Sequence, residues 1–239
     1  MALPGTDGQR RIYLMRHGHV SYADAQGRPI NPQDVPLTPA GRAQAAAARD
    51  LLAEVPFDRA VCSGLPRARQ TAEIVLEPHA MRLEDQPGFT ELRGARLSTI
   101  APDRREALFV YGLEGADEPG ARFAEGDLFA DFEARIAGAL DACLAEAGWT
   151  RLLLVAHDAV NRMVLSLVSG AGLAGLGAFE QDFACINVID VDIADGQIVR
   201  RLIKAVNVTP YNPAKHGNYH TSFEQVFHAL GIGLREEGE

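Results

Sequence analysis

The chain has 239 residues, of which 47% are hydrophobic and 23% charged, proportions that exclude a disordered, collagenous or coiled-coil chain. Its 32 acidic residues outnumber 23 basic ones, a net charge of −9 that argues against general affinity for nucleic acid or an anionic membrane. An anion would therefore have to be bound in a local basic pocket. With about 150 residues per domain as the prior, and no repeat, linker or composition break, residues 1–239 read as one domain with a core over about 11–206 and a tail over 207–239. Cys62, Cys143 and Cys185 are widely spaced with no Cys-x-x-Cys pair, which suits a reducing compartment. Met1 to Arg11 lacks the apolar core of a signal peptide, and no apolar run reaches the ~20 residues of a spanning helix. A cytoplasmic protein is expected, its oligomeric state left open with a homodimer as one option.

Arg11–Gly18 (RIYLMRHG) is an apolar run that stops in polar residues and glycine, the pattern of a buried strand. A polar, proline-bearing loop covers 19–37, and Thr38-Pro39 then supplies an N-cap and first-turn proline for an alanine-rich helix to about Glu54. Arg59–Gly64 predicts a second strand and Leu65–Glu77 a second helix, with 81–92 mixed and extended. From Arg93 to Gly120 the pattern is weak, one helix near Arg104–Tyr111 excepted, and reads as an insertion over one edge of the core. Leu128, Phe132, Ile136, Leu140 and Cys143 recur at helical spacing. Arg151–His157 (RLLLVAH) has the continuous apolar character of a strand inside a parallel sheet, and a helix follows over Ala159–Ser169. Cys185–Ile193 and Gln197–Val206 are β-rich and joined by Ala-Asp-Gly, a hairpin signal. The tail closes with an amphipathic helix near Ser222–Leu230, preceded by Lys215, His216 and His220, which read as solvated. Alternating strands and helices predict one α/β domain.

Two of these strands end in histidine, His17 and His157, and open α/β sheets bind ligands beyond the carboxyl ends of their strands. A histidine after an apolar run is by itself more often structural than catalytic; its company changes the reading. Arg16 adjoins His17, and Gly18 would let the backbone approach a ligand closely. Arg67 starts a helix directly after the second strand, and helix N-termini and arginines both attract phosphate.

Arg16-His17-Gly18, Leu37-Thr38-Pro39-Ala40-Gly41, Ser63-Gly64-Leu65-Pro66-Arg67-Ala68-Arg69-Gln70-Thr71-Ala72, Phe89-Thr90-Glu91-Leu92 and Val155-Ala156-His157 follow one another in an order that resembles the histidine phosphatase superfamily, the phosphoglycerate mutase-like proteins. The resemblance covers most of residues 11–206. It implies a three-layer α/β/α domain with a mostly parallel central sheet and a small insertion near 93–124. It further implies that His17 attacks a phosphoryl group, that Arg16, Arg67 and His157 neutralise its oxygens, and that Glu91 protonates the leaving alkoxide and later deprotonates water. Neither metal nor cofactor is implied. For this chemistry the second ring nitrogen of His17 should be tied to a backbone carbonyl. Glu84 and Asp85 lie close to Glu91 in sequence, Arg93 stands where it could touch substrate, and Ser63 and Thr71 fit packing or capping roles at least as well as ligand contacts.

Departures from the family pattern narrow the expectation to a phosphatase acting on a small phosphorylated metabolite. Mutases of the family carry an asparagine six residues after the nucleophile, where this chain has Ala23, and a tyrosine-glycine segment that is absent after Glu91. His157-Asp158-Ala159-Val160-Asn161-Arg162 is closer to the fructose-2,6-bisphosphatase type. Asp158 would repel a phosphate dianion unless it turns away. The alternatives are phosphoglycerate mutase-type transfer, a metal-dependent hydrolase using His17-x-His19 with His157-Asp158, and a non-catalytic binder of a phosphorylated ligand.

Overall fold

The strand-forming runs assemble into a single sheet in a computed structural model that describes residues 8–24, 26, 28, 30–96 and 99–229. Its strands are β1 (Gly8–Arg16), β2 (Arg59–Cys62), β3 (Leu83–Asp85), β4 (Arg151–Ala156), β5 (Ile186–Ala194) and β6 (Gln197–Val208), in the order β3-β2-β4-β1-β5-β6. The contacts β3–β2, β2–β4 and β4–β1 are parallel, whereas β5 runs against both β1 and β6. The sheet is therefore mostly parallel with one reversed strand. Asp195 and Gly196 turn the β5–β6 hairpin at φ of 50° and 72°, the left-handed conformation that tight hairpins favour.

Side chains alternate across the sheet, and each face is apolar. Ile12, Leu14, Leu152, Leu154 and Ala156 point into a core closed by α4 (Phe129–Ala145) and α5 (Asp158–Ser169). Met15, Leu153 and Val155 point the other way, against α1 (Pro39–Leu52) and α2 (Pro66–Val75). This is the three-layer α/β/α arrangement. The Thr38 hydroxyl accepts the Gly41 amide at 3.1 Å to cap α1, as the sequence predicted.

The segment over 93–124 is packed more deeply than an edge insertion. Its helix α3 (Pro102–Phe109) buries no residue fully, but Ile100, Leu113, Ala116 and Phe123 join the core under α4 and α5. The tail is also anchored: α6 (Ser222–Ala229) buries Ser222 and Phe227. Lys215, expected to be solvated, instead pairs with Asp182 at 2.5 Å and donates to the Asn207 carbonyl at 2.6 Å. The expected helix end at Leu230 and the N-terminal residues 1–7 lie outside the described residues. No helix among the described residues is long and apolar enough to cross a membrane.

Candidate active site

Strand register decides which side chains meet. Arg16 pairs with Ala156 and Cys62 with Val155, so the next residues, His17, Ser63 and His157, emerge together at the carboxyl edge of the sheet. The ladder extends to them: the His17 amide donates to Ala156 O at 3.1 Å and the Ser63 amide to Val155 O at 3.3 Å. Arg67 arrives on the first turn of α2.

His17 is 2% exposed, and its Nδ1–H donates to the Gly18 carbonyl at 2.7 Å. That bond fixes the tautomer and leaves Nε2 with its lone pair, into which Arg67 Nε donates at 3.3 Å. Burial, then the charges of Arg67, His157 and Arg16, hold the His17 pKa well below the usual histidine value, so the imidazole is neutral at physiological pH. The His157 ring lies 5.2 Å from that of His17, and its Nε2 is 2.8 Å from Ser63 Oγ. With the Ser63 hydroxyl donating to Nε2, the proton of neutral His157 sits on Nδ1. That Nδ1 is buried without a protein partner, as is Arg16 Nε. Two such atoms at the mouth of one strand pair point to an anionic ligand.

Arg16 Nη1 donates to the Gln181 carbonyl at 2.5 Å, lies 3.1 Å from Asp158 Oδ2, and its guanidinium sits 3.9 Å over the Phe183 ring. Asp158 therefore turns toward cations, which resolves the repulsion its position threatened. It accepts from Arg162 Nε and from the Ser222 hydroxyl as well. Burial opposes its ionisation, but Arg162, Arg16 and the Ser222 hydroxyl prevail and hold its pKa below the usual carboxylate range. The carboxylate is a brace for Arg16, tied to the tail through Ser222. Of the side chains invoked for a metal centre, Asp158 is so committed, and His19 Nδ1 lies 2.9 Å from Thr38 Oγ1. Among the described residues no three His, Cys, Asp or Glu converge as a metal set.

Glu91 is half-buried behind the fully buried Phe89. Burial first, then the charge of Asp158, raises its pKa to about 7, against the lowering effects of the Leu92 amide, Arg67 and Arg16. Its neighbours in sequence are engaged: Glu84 pairs with Arg59 and Asp85 with Arg69. Glu91 is thus the carboxyl of this segment that shares a field with the two site arginines. Gly18 is needed for closeness to the chain itself, since a Cβ there would stand 2.4 Å from Gly41 O; its amide donates to Thr71 Oγ1 at 3.0 Å. Arg93 is exposed and pairs with Asp127 at 3.3 Å, outside the cluster around His17.

Arg135 was not anticipated. From α4 it donates to the carbonyls of Gly88 and Thr90, each at 2.7 Å, and so straps down the segment that ends in Glu91. An arginine set between Phe132, Ile136 and Ala139, on the face of the helix that is otherwise apolar, was the available signal. If Glu91 is the acid that the family resemblance implies, Arg135→Met should slow hydrolysis of alkyl phosphates roughly tenfold, leave aryl phosphates within about threefold, and be partly rescued by lysine. Comparing kcat for the two ester types checks this; an equal loss on both would reduce Arg135 to a fold contact.

The model of the histidine phosphatase superfamily (branch 1) matches residues 12–203. An adenosylcobalamin/alpha-ribazole phosphatase of Salmonella typhimurium is 30% identical over 188 residues, covering 76% of this chain and 90% of the relative. A protein of Yersinia enterocolitica named probable phosphoglycerate mutase is 27% identical over 167 residues, covering 67% and 75%. The crystal structure of the alpha-ribazole phosphatase from Shigella flexneri superposes with a TM-score of 0.66 at 25% identity, covering 82% of this chain and 96% of that one.

Proposed function

The chain belongs to the histidine phosphatase superfamily, branch 1, and on that premise we propose that it hydrolyses a small phosphorylated metabolite through a phosphohistidine on His17, without a metal ion. It is a phosphatase, as its family and phosphatase-named relatives are. The observation that carries the covalent route is the His17 hydrogen bond to Gly18 O, which leaves Nε2 unprotonated beside Arg67.

In the first step the Nε2 lone pair attacks phosphorus, the ester P–O bond breaks, and the leaving oxygen takes the Glu91 proton. Arg16, Arg67 and the Nδ1–H of His157 hold the three phosphoryl oxygens, on which charge accumulates. In the second step water attacks phosphorus and gives a proton to the Glu91 carboxylate. The P–N bond breaks, its electron pair returns to Nε2, and inorganic phosphate leaves. Two guanidiniums and an imidazole supply the field that a cation supplies in other phosphoryl-transfer sites. Three free, buried cysteines suit the reducing, cytoplasmic setting that belongs to this reading.

p-Nitrophenyl phosphate hydrolysis should persist in excess EDTA and be inhibited competitively by vanadate, a mimic of five-coordinate phosphorus. Activity lost to EDTA and restored by Mn²⁺ or Zn²⁺ would overturn the metal-free reading. Vanadate binding without turnover of any phosphomonoester, or phosphoryl transfer between positions of phosphoglycerate in place of hydrolysis, would overturn the phosphatase reading.

A further inference from the structure

Beside the phosphoryl-binding cluster lies a cavity of about 140 Å³. It is lined by His19, Tyr22 and Ala23 of the chain just after His17, by Phe183, and by Gln225 and Val226 of α6. Its lining is mostly apolar and rich in rings, with His19 edge-on to Phe183 at 5.1 Å. Such walls favour a flat apolar body over a second anion.

Two observations join this cavity to the chemistry. Phe183 is a shared wall, since its ring lies 5.9 Å from that of His17 and beneath the Arg16 guanidinium. Tyr22, on the lining of the cavity, feels the same charges as the cluster: Arg67, Glu91, Arg16 and Asp158 all act on its hydroxyl. The group carried by the ester oxygen of a phosphate bound between His17 and Arg16 has this cavity beside it, across the Phe183 ring. We propose that this cavity is the leaving-group subsite and that it takes a ring-bearing leaving group, with α6 of the tail selecting for it. The proposal rests on the phosphatase reading for which group is bound, and it gives the tail a role in choosing substrate.

Phosphonates test it, because their C–P bond cannot be hydrolysed and binding is measured whatever the turnover. By titration calorimetry, 2-phenylethylphosphonate should bind wild-type protein roughly tenfold more tightly than n-butylphosphonate, which has similar reach but no ring. Val226→Trp, which fills the cavity from α6, should bring the two affinities within about twofold. Gln225→Trp, on the same wall, serves as the second variant, and thermal melting reports whether each is folded. Equal affinities in the wild type, or a ring preference that survives in both folded variants, would overturn the subsite. The two readings fail separately: a ring preference without any ester hydrolysis would sink the phosphatase and keep the subsite, while hydrolysis without ring preference would do the reverse.

Discussion

His17→Ala should lose turnover of every phosphomonoester by roughly 10⁴-fold or more, because the residual activity of such a variant comes only from the surrounding field and from water. Nε2 is the one atom of the cluster that is buried, unprotonated and faced by cationic donors: Arg67 Nε contacts it at 3.3 Å, and its proton-bearing partner Nδ1 is held by Gly18 O. His157 is placed differently, because its Nε2 is already engaged by Ser63 Oγ at 2.8 Å. The fold should survive. Removing a buried imidazole costs roughly 1–3 kcal/mol, and a chain of this size loses about 2–4 °C of Tm per kcal/mol. The wild type, quenched during turnover of a ³²P-labelled ester, should carry an acid-labile, alkali-stable phosphoryl group that His17→Ala lacks. Retained turnover in a folded variant, or a label that survives the substitution, would remove His17 as the nucleophile.

The sheet and the meeting of His17 with His157 were legible because local sequence determines them. RIYLMRH and RLLLVAH are runs too apolar to face water on either side, and paired in parallel they deliver His17 and His157 to one edge. Thr38-Pro39 marked the start of α1 for the same local reason. The braces of the site were not legible, because they are long-range: Ser63 meets His157 across 94 positions, and Ser222 meets Asp158 across 64. Asp158 looked like a liability until its partners Arg16, Arg162 and Ser222 were in place. The segment over 93–124 shows no clear period because α3 buries nothing fully and the core contacts come from isolated residues such as Ile100 and Phe123. Lys215 looked solvated because Asp182, its partner, is 33 residues away.

Glu91→Gln should divide substrates by leaving group. An alkoxide is a strong base and needs a proton as the P–O bond breaks, while the far weaker base p-nitrophenolate leaves without one. The variant should therefore lose roughly 10²–10⁴-fold on alkyl phosphates and much less on p-nitrophenyl phosphate. The pH profile follows from the same carboxyl. Burial raises the Glu91 pKa to about 7, so its proton is present below that pH and lost above it. For alkyl phosphates kcat/KM should then fall about tenfold per pH unit above 7. His17, held well below the usual histidine pKa, stays unprotonated across this range and adds no limb of its own there. In Glu91→Gln the fall above pH 7 should vanish, and in the aryl ester it should be shallow even in the wild type. Equal losses on the two esters, or a wild-type alkyl profile flat through pH 8, would take the acid role from Glu91 and return it to the surface charges of its neighbourhood.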